Sequence, residues 1–180
     1  MSQFEYLAVF VSIIFGIGVT HIMAGVMRSF YRGERDETHL VLSAWLFLVL
    51  ILNWWMSFRW VEFQAWSIDI FVIIIVWAVV HYVGAITLYP PLSAGVEQPF
   101  GYRRHWFMWA FVAICVTDIV QTWALGALFD PWTYLPFVGH MGVLALLAIY
   151  FRNDTFYRWL AWYFLILMSA WAFIVRRFIE

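Results

Sequence analysis

The sequence predicts an all-α integral membrane protein, a compact bundle of six transmembrane helices with short loops. Three observations predict it. The 180 residues are 66% hydrophobic and only 12% charged, whereas an ordinary soluble domain carries about 25% charged residues. Mean hydropathy is +0.85. Five runs, at 6–27, 38–58, 70–96, 131–151 and 159–175, contain no Asp, Glu or Arg, and a sixth at 106–129 is broken only by Asp118. Each is long enough for a spanning helix, which needs roughly 17–25 mostly apolar residues.

The expected spans are 5–29, 39–60, 69–89, 105–128, 132–151 and 156–176, within a single domain covering 1–180. Ser2 and Glu5 have the spacing of a capping box for the first span, each side chain satisfying a free backbone N–H. The residues before Tyr6 carry no positive charge and the apolar run is long, so this segment is expected to stay as a helix rather than act as a cleaved signal. Thr38 is the expected N-cap of the second span. Ser67 and Asp69 suit the start of the third, with the Asp69 carboxylate at the positive end of the helix dipole. Pro90-Pro91 ends it. Arg103, Arg104 and His105, followed by Trp106, anchor the fourth at lipid headgroups. Asp130-Pro131 reads as an N-cap with proline at the first helical position of the fifth span. Asn153-Asp154-Thr155 turns the chain into the sixth.

All ten basic residues are arginines. Alternating spans place seven of them (Arg28, Arg32, Arg35, Arg103, Arg104, Arg152, Arg158) on one side and three (Arg59, Arg176, Arg177) on the other. The richer side is cytoplasmic under the positive-inside rule, so both termini are expected on the non-cytoplasmic side. Seven of the 13 tryptophans, Trp54, Trp55, Trp60, Trp66, Trp106, Trp132 and Trp159, fall near span ends as an interfacial belt. Trp45, Trp77, Trp109, Trp123, Trp162 and Trp171 fall deeper, as packing or lipid-facing bulk. An aromatic wall around a flat apolar ligand is the alternative. The single cysteine, Cys115, is read as a small packing residue.

Five spans carry one strongly polar residue near mid-depth: His21, Asn53, His81, Asp118 and His140. An ionisable group at such depth is a functional-site hypothesis by default. Gly18, His21, Gly25 and Arg28 share one helical face, and small residues admit a neighbouring backbone, so His21 is expected to point inward. Thr117, Asp118, Gln121 and Thr122 form a polar stripe in the fourth span. Asn53 with Ser57, and Gly139, His140 and Gly142, form shorter ones. Any one histidine, and Asn53, can equally serve as interhelical glue. Asp118 has no arginine at its depth and must take a proton or pair with a cation, and a protonated histidine is the expected partner. The expected site is therefore built around Asp118, His21 and His81, with Asn53, Gln121 and His140 as further candidates for an ion or ligand pathway.

Transport or proton/ion handling is the leading expectation, with Asp118 and a histidine exchanging protons. A non-catalytic accessory or assembly subunit is the alternative. A third reading uses His21 and His81 as axial haem ligands, or the histidines with Asp118 around a transition metal, although no H-x-x-H or E-x-x-H spacing occurs. No nucleophile–base pair or phosphate-binding glycine loop points to an enzyme, and a net charge of −1 argues against nucleic acid as a partner. The lipid bilayer is the expected partner, together with other membrane subunits or further copies of the chain. The arrangement resembles that of many short multi-span bacterial proteins, which implies a bacterial inner (plasma) membrane and carries no residue roles.

Overall fold

A computed structural model describes residues 3–33, 36–90 and 99–174. Ser2, Arg35, Pro91, Arg176 and Arg177 lie outside the described residues. Six α-helices follow in chain order: α1 (Gln3–Arg32), α2 (Glu37–Met56), α3 (Ile68–Leu88), α4 (Phe100–Ala124), α5 (Tyr134–Phe151) and α6 (Asp154–Ile174). A short 3-10 helix, Ser57–Glu62, continues α2. No strand occurs among the described residues, and all six helices are long and apolar enough to cross a membrane.

The helix ends follow local chemistry, with three departures from the expected boundaries. Asp36, not Thr38, caps α2, its carboxylate accepting from the His39 backbone N–H at 3.0 Å. Ionised Asp is the stronger acceptor for the positive end of the helix. α4 begins at Phe100 rather than near 105 because Phe100 is buried, stacked on His39 with ring centroids 4.3 Å apart. The arginines that shorten the apolar run are accommodated: Arg104 pairs with Asp154 and lies 4.3 Å from the Tyr157 ring centroid. α5 begins at Tyr134 rather than at Pro131. Asp130 is drawn instead into an ion pair with Arg59 at 2.8 Å. Two other expected devices are present. Ser67 caps α3 through the Ile70 N–H, and Asn153 accepts from the Thr155 and Phe156 N–H groups at the start of α6.

α1 packs on α2 and α3, α3 on α4, α4 on α5, and α2 on α6, leaving thinner contacts between α5 and α6 and between α2 and α3. The predicted small-residue face of α1 is used: Gly18 lies against Leu50 and Gly25 against the ring of Tyr89. At most 44% of any spanning window is buried within the chain, and the outward faces carry apolar side chains such as Ile13, Met23, Val72 and Ile166.

The bundle interior has two unlike halves. Toward the arginine-rich end, Trp45 of α2, Phe111 of α4 and Phe164 of α6 meet with centroid separations of 4.6 and 4.8 Å, a dense aromatic plug. Trp60, read as a belt residue, is also buried, edge-on to Trp77 at 5.7 Å. It belongs to the opposite half, where the helices surround a cavity.

Gly25→Ala would drive a Cβ into the Tyr89 ring and is expected to lower stability by about 1–3 kcal/mol, the usual penalty of overpacking. Gly16→Ala meets no atom within 4 Å and should be neutral or stabilising by up to about 1 kcal/mol. Thermal unfolding of the two variants in detergent checks the contrast.

Candidate functional site

Trp77 and His81 stand four residues apart on α3 and therefore share a face. On α4, Asp118, Gln121 and Thr122 lie together by the same spacing. Tyr134 is delivered by the first turn of α5 and Asn53 by the last turn of α2. These residues converge on one hydrogen-bonded network that ties four helices.

The Asp118 carboxylate accepts from the Trp77 indole N–H at 2.9 Å and from the Tyr134 hydroxyl at 2.7 Å. Thr122 donates to the Tyr134 oxygen at 2.9 Å, which leaves the phenol proton for Asp118. Both carboxylate oxygens are acceptors. The expected partner, a protonated histidine, is replaced by two neutral donors. Indole and phenol can stay buried at little desolvation penalty, whereas an imidazolium would have to leave water as well.

His81 is fully buried one turn away. Its Nδ1 lies 2.8 Å from the Trp77 carbonyl, which can only accept, so Nδ1 carries the proton. Nε2 then accepts from Asn53 Nδ2 at 2.8 Å. Trp77 thus links the two halves of the network, its indole holding Asp118 and its carbonyl holding His81. Phe15 of α1 covers both Trp77 and His81 edge-on, at 5.1 and 5.8 Å.

The network borders a cavity of about 450 Å³. Its inner end is formed by Asn53, Trp77 and Asp118, and its rim by the 3-10 helix and the α4–α5 connection, where the Arg59–Asp130 pair sits. The Asp130 side chain is 72% exposed, so the rim faces outward. By helical rise Asp118 lies about 27 Å along the roughly 37 Å length of α4. The site therefore lies about 8 Å from the middle of α4, on the side of its C-terminal end.

His21 does not join it. Its Nε2 lies 2.5 Å from the Tyr89 carbonyl, twelve residues beyond Trp77 and roughly 18 Å farther along α3. His39 similarly reaches the Leu88 carbonyl at 3.0 Å. Together they satisfy carbonyls that a helix C-terminus leaves without intrahelical donors. His140 is placed apart too, on the outer seam, with Nδ1 against the Pro136 carbonyl at 2.9 Å and Nε2 against the Tyr163 hydroxyl at 3.1 Å. Of the six candidates, Asn53, His81, Asp118 and Gln121 are brought together and His21 and His140 are not. With His21, His81 and His140 held in three separate places, the haem or metal reading has no assembled ligand set among the described residues. No group of three or more His, Cys, Asp or Glu suited to a metal occurs among the described residues.

Sequence reasoning missed Trp77, Tyr134 and the Arg59–Asp130 pair. Trp77 shares a face with His81, a usable signal, but so do many membrane tryptophans. Tyr134 has no periodic signal, because its approach to Asp118 depends on where α5 begins.

Tyr134→Phe removes one donor from a half-buried carboxylate and should destabilise the protein by about 1–3 kcal/mol. Combined with Asp118→Asn, the effects should be non-additive by about 0.5–3 kcal/mol, measured as a double-mutant cycle on detergent-solubilised protein.

Comparison with protein-family models, curated proteins and solved structures finds no match for this chain.

Proposed function

We propose that the chain is an integral membrane protein that handles protons or a small solute through the cavity bounded by Asp118. The observation that carries this reading is the placement of a carboxylate, bonded by neutral donors alone, at the inner end of a cavity whose rim faces outward. Hydrocarbon around the bundle makes such a charge costly. A proton or a cation arriving through the cavity relieves that cost, and water outside can take it back. Binding and release of positive charge is thus the chemistry for which the site is built.

Outward apolar faces on all six helices support membrane insertion, since a helix apolar all round suits a large protein core or a membrane span and at most 44% of any spanning window is buried within this chain. The arginine asymmetry supports a cytoplasmic location for the end that holds the aromatic plug. In a bacterial inner membrane the cavity then faces the non-cytoplasmic side, as do both termini. The plug closes the opposite end, so passage across the bundle requires the Trp45, Phe111 and Phe164 rings to part. His81 and Asn53 provide a second protonatable step behind Asp118. Protonating Nε2 turns it from acceptor to donor, and the Asn53 amide must rotate to present its oxygen.

Reconstitution in liposomes with an imposed pH gradient and an internal pH dye tests the reading. Wild-type protein is expected to move protons, alone or with a solute from a panel of amines, sugars and organic anions. Asp118→Asn should abolish that movement while leaving expression intact, and His21→Ala should retain it. Unchanged flux in Asp118→Asn would remove the residue from the mechanism.

A further inference from the structure

Resting on the reading of Asp118 as the charge-handling group, the cavity lining narrows the chemistry of the solute. Asp118, Asp130 and Glu62 contribute three carboxylates, and Arg59 is the single cationic side chain among the described lining residues. Arg59 is already engaged by Asp130 at 2.8 Å. Neither the inner carboxylate nor the overall charge balance favours an anion.

The rest of the wall is largely apolar and aromatic. Trp60, Trp77, Phe137 and Trp171 are among seven aromatic side chains that line it. Phe137 and Trp171 stack at 4.8 Å across the thin α5–α6 seam. Aromatic faces attract organic cations within about 6 Å, most strongly where water is excluded. An inorganic cation instead wants a shell of several oxygen ligands, and no cluster of three or more His, Cys, Asp or Glu is assembled here among the described residues. A volume of about 450 Å³ also far exceeds a bare ion and falls in the usual range for drug-sized molecules.

We infer that the cavity is a binding site for an organic ammonium ion with an apolar body, the charged head directed to Asp118 and the body held by the aromatic wall. The remaining lone pairs of the carboxylate face the head, while Trp77 and Tyr134 keep the carboxylate oriented. Neutral solutes of the same shape gain the wall contacts but not the charge pairing.

The test uses the full chain purified in detergent, with benzyltrimethylammonium as probe and its uncharged carbon isostere, neopentylbenzene, as control. Binding is read by calorimetry and by tryptophan fluorescence. The ammonium ion is expected to bind saturably and about ten-fold or more tightly than the isostere. Asp118→Asn should weaken the ammonium ion by roughly thirty-fold, as expected for loss of one partner of a buried charge pair. Equal affinity for ion and isostere, or no saturable binding of the ion, would overturn the assignment. The wild-type comparison of the two probes decides the matter even if Asp118→Asn does not fold. Proton uptake after a pH jump is measured on the same preparations. Uptake that depends on Asp118 without ammonium binding overturns the ligand class and leaves the charge-handling reading standing. Absence of both overturns both.

Discussion

The hydrogen bonds from Trp77 and Tyr134 to Asp118 are the constraint on which the rest of this structure depends. A carboxylate inside an apolar bundle must be given donors or expelled, and the two donors come from different helices. One side chain of α4 is therefore satisfied only with this rotation of α3 and this starting point of α5. The Trp77 carbonyl, held by the same helix turn, then fixes the ring of His81, and through it Asn53 of α2. One half-buried carboxyl group ties together four of the six helices. Such dependence makes the site sensitive to substitution: removing a single donor leaves one oxygen of a half-buried carboxyl group without its protein partner.

The bundle divides its labour along its axis. At the arginine-rich end, rings of Trp45, Phe107, Phe111 and Phe164 fill the interior, and the C-terminal carbonyls of α3 call for donors. His21 and His39 meet that need, each placed against a terminal carbonyl. At the other end the helices stand apart around the cavity, and the Arg59–Asp130 pair bridges the 3-10 helix to the α4–α5 connection. A packed half supplies stability, and a hollow half leaves room for a ligand. Stability and binding seldom coexist in the same layer of so small a bundle, because close packing and an accessible cavity exclude one another.

Three histidines at similar estimated depth thus have three different fates. His81 enters the Asp118 network, His21 caps a helix, and His140 stitches the α5–α6 seam. Depth along a helix places a residue in a slab; rotation about the helix axis decides its neighbours. Rotation is settled by packing, such as the close approach of Tyr89 to Gly25, that no single-helix pattern contains.

Composition and run length alone determined that the chain forms six apolar helices, and that Asp118 demands a partner, because both follow from the solvation of single residues and single helices. The small-residue face of α1 and the Ser67 cap were legible for the same reason: they are local. Which groups would meet Asp118 was not, since Trp77 and Tyr134 reach it from α3 and α5, 41 and 16 residues away in the chain. The cavity, likewise, is a property of the space between helices rather than of any one of them. Only the tertiary structure decided that Asn53, His81, Asp118 and Gln121 form one site and that His21 and His140 stand outside it. Contacts across a bundle are chosen by mutual packing, which is a property of all the helices at once.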